Sequence, residues 1–108
     1  MKRGLGMKNE KALDLFSQCT PVFNAFGDPA RQEIILALAQ KEKMSVKEIR
    51  EHSNLSHPAI SHHLKILREN SIVEFEKVGT QRFYRLTIGE SVELIKSLVA
   101  EVEDVCDL

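Results

Sequence analysis

With 108 residues, the chain can form one modest hydrophobic core but not two. Its 29% of charged and 43% of apolar residues are the ordinary composition of a water-soluble globular protein. No apolar run approaches the roughly 18 residues that cross a bilayer, and no apolar stretch follows Lys2 and Arg3 as it would in a signal peptide. We therefore expect no membrane association and a location in the cytoplasm, where two cysteines would not build a disulfide framework.

The net charge of −1 hides an uneven distribution along the chain. Residues 1–88 carry 14 basic and 10 acidic side chains, whereas residues 89–108 carry one lysine and six acids. A surface that binds nucleic acid needs local positive charge rather than a basic whole protein. The first part of the chain is therefore compatible with a nucleic-acid partner, although two ordinary solvated faces would give the same counts.

Two helices are predicted in the first third of the chain. Apolar residues recur at three- and four-residue steps over residues 8–26, after an arm over residues 1–7 that we expect to be flexible. Pro21 is expected to kink this helix or to make it restart. Asp28 and Pro29 are typical of the cap and the first position of a second helix, which extends to about residue 41.

Two shorter helices follow, joined by a tight turn. Ser45, with Glu48 three residues later, matches a capping box and predicts a short helix through His52. Ser56 caps the next helix, over residues 57 to about 69. Two short amphipathic helices with this connection form a helix-turn-helix, whose second helix is the recognition helix that enters the major groove of DNA.

The recognition helix has one apolar and one polar face. On a helical wheel Ile60, Leu64 and Leu67 point to the core. Groups that suit base edges or phosphates lie opposite, in the N-terminal half that reaches DNA. These residues are Pro58, Ser61, His62 and Lys65, with Ala59 able to contact a thymine methyl group. Arg68 lies nearer the core, where a phosphate or an acidic neighbour is its expected partner.

The histidines of this helix lack the spacing of a metal site. His57, His62 and His63 do not share one helix face, and zinc requires convergent ligands. We expect His62 to point outward to DNA and His63 inward, beside Leu64, with a backbone carbonyl as its hydrogen-bond partner. Ser61 and His62 point about 100° apart and have no acid to orient the imidazole. The sequence therefore predicts no enzyme, no cofactor and no metal site on this helix.

After Ser71 the hydrophobic period changes from 3.6 to 2. Alternation on both sides of Gly79 predicts a two-stranded wing over about residues 72–87. The wing tip carries polar and cationic side chains that suit phosphate or minor-groove contact. They are Lys77, Thr80, Gln81 and Arg82.

The last predicted helix, over residues 90–107, has an apolar stripe that is wide for a terminal element. So small a domain cannot bury this stripe and the apolar residues of the first helix in one core. Pairing of both helices with a second copy would bury them in a two-fold interface, unless the last helix only covers its own core. The predicted fold is mainly α with a two-stranded β-wing: a single winged helix-turn-helix over residues 8–108, dimerising through its terminal helices.

Three segments, Phe26–Arg31, Leu55–Arg68 and Gly79–Leu86, resemble the ArsR/SmtB family of winged-helix repressors. The resemblance covers about residues 15–105. It implies a cytoplasmic homodimer that represses transcription by binding a palindromic operator in double-stranded DNA, and that an effector commonly releases. It also implies that DNA is contacted by His57, Pro58, Ala59, Ser61, His62 and Lys65 of the recognition helix and by Lys77, Thr80, Gln81 and Arg82 of the wing.

The effector is not given by the resemblance. The segment that matches the Cys-x-Cys site of arsenic and cadmium sensors, residues 44–48, has no thiol, and residues 90–108 contain no histidine. Cys19 and Cys106 lie on the two predicted dimer helices. They could form a thiol switch or a two-thiol metal or metalloid site, within or between protomers. In the alternative, Cys19 is a small buried apolar residue and Cys106 a thiol at a helix end.

One further alternative is an interaction module that keeps the winged-helix scaffold without binding DNA. Three acids near the DNA-facing edge favour it: Glu69, Glu74 and Glu76. A negative potential across the His62–Lys65 face would support it.

Overall fold

The computed structural model describes residues 7–108, so residues 1–6 of the expected arm lie outside the described part. The elements are, in chain order, α1 (Met7–Phe26), α2 (Pro29–Ala39), β1 (Met44–Ser45), α3 (Val46–Glu51), α4 (His57–Glu69), β2 (Val73–Val78), β3 (Gln81–Leu86) and α5 (Gly89–Val105). A mainly helical chain with a β-hairpin wing is thereby confirmed. The predicted recognition helix is α4.

The first helix has nearly the predicted bounds but lacks the predicted restart. α1 continues through Pro21, so the expected restart at that residue is wrong. Pro21 is exposed, and the backbone carbonyl that a proline leaves without a donor can be solvated there. In the same stretch the Thr20 hydroxyl donates to the carbonyl of Phe16 at 2.8 Å, a bond within the helix.

Caps fix where the two helices of the helix-turn-helix begin. The Glu48 amide donates to Ser45 Oγ at 3.2 Å, and the Ser45 amide donates to Glu48 Oε1 at 2.9 Å, which completes the predicted capping box. At the start of α4 the Ser56 hydroxyl accepts a bond from the Ala59 amide at 3.3 Å. The predicted start of both helices is therefore correct.

The sheet contains the predicted hairpin and one strand more. β2 and β3 pair antiparallel from Val73↔Leu86 to Val78↔Gln81, and Gly79 in the turn has a φ of 63°, which favours glycine. β1 pairs with the other edge of β3 through Met44↔Tyr84. A strand of two residues shows no alternation, so the sequence could not reveal it.

The core lies where α2, α3 and α4 meet the sheet. All three residues of the predicted apolar face of α4, Ile60, Leu64 and Leu67, are fully buried. Packing of these residues against Leu38 and Ile49 turns the polar face of α4 to the surface.

The two terminal helices pack along each other and make the molecule elongated. Its dimensions are 58 × 23 × 20 Å, and its radius of gyration is 17.2 Å, against about 13 Å for a compact domain of this length. Within residues 7–108, no helix is both long enough and apolar enough to cross a membrane.

Candidate nucleic-acid interface

A concave surface, which we call the basic cleft, lies between α3, α4 and the hairpin and has a volume of about 640 Å³. Five of its twelve lining residues are lysine or arginine, and none is acidic. The cleft is therefore a local site of positive charge in a chain whose net charge is −1.

Six of the ten predicted DNA contacts line the basic cleft: His57, Ser61, Lys65, Thr80, Gln81 and Arg82. Ser61 Oγ lies 3.5 Å from His57 Nδ1, one turn away on the same helix face. Pro58, Ala59, His62 and Lys77 do not line the cleft. Ala59 is half-buried, and the other three are exposed beside it.

Two cations of the cleft were not predicted from the sequence as DNA contacts. Lys47 and Arg50 lie three residues apart on α3 and are exposed, because Val46 and Ile49 of that helix face the core. A helical wheel of this short helix would have found them. Arg68 of α4 is also exposed in the cleft rather than near the core.

An aromatic ring holds two of the guanidinium groups. Arg82 lies 4.5 Å and Arg68 5.3 Å from the centroid of the Phe75 ring, so Arg68 has an aromatic partner that was not expected. The Phe75 ring is itself packed against Tyr84, with 5.3 Å between centroids. Contact with a ring face restricts a guanidinium without neutralising it, which leaves both charges available to phosphates.

None of the three acids that favoured a module without DNA binding, Glu69, Glu74 and Glu76, lines the basic cleft. Glu74 and Glu76 alternate with Phe75 along β2 and therefore lie on the opposite side of the hairpin. Glu74 is paired with Arg85 across the hairpin. Glu76 accepts a bond from Lys43 Nζ at 2.8 Å, which raises the pKa of Lys43 and lowers that of Glu76.

His63 is half-buried, as predicted, but its predicted partner is wrong. Its Nδ1 lies 3.1 Å from Arg31 Nη1 rather than against a backbone carbonyl. A guanidinium has only donors, so Nδ1 must accept and the ring is neutral with its proton on Nε2. Burial lowers the pKa of His63, and the charge of Arg31 adds to this, against the opposite effect of Asp28. His62 is exposed.

The two thiols do not meet within one chain. Cys19 is fully buried, and its Sγ donates to the carbonyl of Leu94 at 3.8 Å. Cys106 is exposed after the end of α5, twelve residues beyond Leu94 and thus about 18 Å along the helix axis. A switch within one protomer is therefore wrong, and one between protomers stays a prediction. Over residues 7–108, no three His, Cys, Asp or Glu residues are grouped as a metal would require.

Comparison with known proteins decides the family. Residues 28–74 match the family described as bacterial regulatory protein, arsR family. An uncharacterized HTH-type transcriptional regulator of Methanocaldococcus jannaschii is 37% identical over 84 residues, which cover 78% of this chain and 94% of the relative. The chain belongs to the ArsR family. The resemblance of its three segments to ArsR/SmtB proteins is confirmed.

Further relatives of the ArsR family agree. A transcriptional repressor SmtB homolog of Synechocystis is 29% identical over 93 residues, covering 86% of this chain and 70% of the relative. The solved structure of the transcriptional repressor BigR from Xylella fastidiosa has a TM-score of 0.63 and 27% identity, and the match covers 84% of this chain and 89% of BigR. The chain is a DNA-binding regulator of transcription, in a family of regulators rather than enzymes.

Proposed function

We propose that this ArsR-family chain is a cytoplasmic repressor that binds a palindromic operator in double-stranded DNA as a homodimer. The observation that carries the proposal is the basic cleft, which gathers five cations and no acid between α4 and the wing. In this arrangement α4 lies in the major groove and the wing follows the phosphate backbone beside it.

The position of each residue in the basic cleft indicates which part of the DNA it would contact. Ser61 and Lys65 lie on the exposed face of α4, where a hydroxyl and an ammonium can bond to base edges. Thr80 and Arg82 lie at the wing and Arg50 on α3, where they suit phosphates on either side of the groove. The cleft is thus built for backbone contacts at its rim and base contacts along α4.

The proposed homodimer is supported by apolar side chains that remain exposed to solvent in a single chain. Leu13, Phe16 and Phe23 of α1 are 48%, 45% and 42% exposed, and Val99 of α5 is 50% exposed. They lie on the two helices that make the molecule elongated. A second copy packed on this surface would bury them and place two α4 helices on one side of the DNA.

Selection of duplexes from a randomised library with the wild-type chain tests the proposal. We expect two inverted half-sites with centres about one helical turn apart, and protection of both half-sites in footprinting. A chain with Lys65→Ala and Arg82→Ala is the matched negative control, since it keeps the fold and removes two cleft cations. Enrichment of no sequence, or of a single half-site bound by one chain, would overturn the proposal.

A further inference from the structure

Arg31 joins the end of α1 to the recognition helix. Its Nε donates to the carbonyl of Ala25 at 2.8 Å and its Nη2 to the carbonyl of Asn24 at 3.0 Å. Its Nη1 lies 3.1 Å from His63 Nδ1 and 3.8 Å from Asp28 Oδ2. The Arg31 side chain is only 12% exposed, so these bonds form in a partly dehydrated site where they are strengthened.

The contacts to α1 have a physical reason. The last carbonyls of a helix lack amide partners, and the C-terminal end of the helix dipole attracts a cation. The last turn of α1 contains no basic residue of its own. Arg31, from α2, supplies the charge and a donor to the Ala25 carbonyl, and it adds a second donor to the Asn24 carbonyl, which also accepts from the Gly27 amide at 3.3 Å.

We propose that Arg31 is a positioning residue that fixes α4 relative to the dimer helix α1, and that this link holds only while His63 is neutral. The inference rests on the proposed function, because it assumes that α1 lies in the dimer interface and α4 on DNA. A link between these helices sets how far apart the two α4 helices of a dimer lie and how they are oriented.

The chemistry of the bond makes the link sensitive to acid. Protonation of His63 turns Nδ1 into a donor that faces a guanidinium, so the bond is lost and two cations are opposed. The charged groups that face His63 are Asp28 and Arg31 from the α2 end and His62 from α4. Asp28 favours the imidazolium, whereas burial, Arg31 and His62 disfavour it, so the link is present at neutral pH and lost in acid.

Two other histidines lie on the surface proposed to face DNA. His57 lines the basic cleft, and His62 is exposed on the same helix. The effect of His63 must therefore be measured as a ratio between two proteins that both keep His57 and His62. The variant His63→Asn suits this purpose because its side-chain oxygen can accept from Arg31 and does not titrate.

The first measurement needs no DNA. Amide hydrogen exchange at neutral pH compares the wild type with Arg31→Lys, which keeps the charge but cannot span the same acceptors. Gln32→Ala is the matched control, because Gln32 Nε2 donates to the carbonyl of Phe26 at 2.7 Å and so ties α2 to α1 without reaching α4. We expect lower protection of α4 amides in Arg31→Lys only, and equal protection in both variants would overturn the positioning role.

The second measurement uses a duplex selected by the wild-type chain. We expect Arg31→Lys to weaken binding about tenfold at neutral pH, as loss of a hydrogen bond to a charged group allows, and Gln32→Ala to weaken it much less. The ratio of the wild-type Kd to the His63→Asn Kd should rise at least about threefold from pH ~7.5 to ~5.5. Thermal unfolding confirms that each variant is folded.

A constant ratio across this pH range, or equal binding by Arg31→Lys and Gln32→Ala, would overturn the inference. If the library yields no duplex, the proposed function fails instead. The exchange measurement then decides by itself whether Arg31 holds α4 in place.

Discussion

Lys65 and Arg82 reach the basic cleft from two sides, one from α4 and the other from the wing. Neither has an acidic partner among the ion pairs of residues 7–108, whereas Arg85, on the opposite side of the hairpin, is paired with Glu74. At the scale of single residues, the side of the hairpin on which an arginine lies therefore decides whether its charge is available to DNA.

We expect Lys65→Ala and Arg82→Ala each to weaken binding to the selected duplex. Arg82→Ala removes one phosphate contact per protomer, so the slope of log K against log salt should become shallower by about two in a dimer, whereas Lys65→Ala removes a base contact and should also relax the sequence preference. Fluorescence anisotropy over a range of salt concentrations measures this slope. Arg85→Ala is the control and should leave it unchanged. An equal loss in all three variants would contradict the assignment of the cleft.

Stability should depend on pH through His63. Burial lowers the folded pKa of His63 below its ordinary value of 6.5, so the unfolded chain binds the proton more readily. The stabilisation is therefore complete above this ordinary value and is lost as pH falls through the lowered pKa. The free energy of unfolding in urea should fall more steeply from pH ~7 to ~5 for wild type than for His63→Asn. Parallel curves would show that the ring is not held neutral.

At the scale of elements, the helix-turn-helix could be predicted from sequence patterns that extend over only a few residues. Ser45 with Glu48 and Ser56 with Ala59 are local pairs, and the apolar face of α4 follows from its period alone. The pairing of Met44 in β1 with Tyr84 in β3 and the bond of Arg31 to His63 join positions 40 and 32 residues apart. No local pattern encodes such partners, so these features could not be predicted.

The basic cleft could likewise be predicted only in part from the sequence. The helical wheel of α4 and the turn residues of the wing predicted which side chains face outward, and six of these side chains line the basic cleft. The position of Arg68 could not be predicted from α4 alone, because the ring that it contacts, Phe75, lies on β2. Lys47 and Arg50 alternate with the core residues Val46 and Ile49 on α3, so a helical wheel of this helix is sufficient to place them on the surface.

Phe75 should contribute to DNA binding without touching DNA. Phe75→Leu keeps an apolar side chain at the half-buried position and removes the ring face on which Arg68 and Arg82 lie. Without the ring, the two guanidinium groups must be ordered when DNA binds, at a cost of about 0.5–1.5 kcal/mol each, so we expect binding to weaken several-fold. The matched control is Phe83→Leu, which removes a ring under Lys43 on the opposite side of the hairpin. Equal affinities of the two variants would contradict this role.

At the scale of the whole molecule, the elongated shape fits the proposed homodimer. A chain with a radius of gyration of 17.2 Å and three exposed apolar residues on α1 has surface that one core cannot bury. The sequence predicted the excess of apolar residues on the terminal helices. It could not predict which of them the packing of α1 on α5 leaves exposed.

We expect Phe16→Glu to convert a dimer into a monomer, because it places a charge in the proposed interface at a position that is already 45% exposed in one chain. Sedimentation velocity measures the mass, and circular dichroism verifies the fold. Leu36→Glu is the control: Leu36 is 63% exposed but lies on α2, beside Lys41 and His52. A dimeric Phe16→Glu protein would show that another surface is used.

The central claim is that two chains bind one operator through their basic clefts. It is tested most directly by titrating the selected duplex with the wild-type chain at several salt concentrations, and measuring stoichiometry and affinity together. We predict two chains per duplex and an affinity that falls steeply with salt, because phosphates replace counterions at the cleft cations. Binding of one chain per duplex, or no binding at low salt, would contradict the claim.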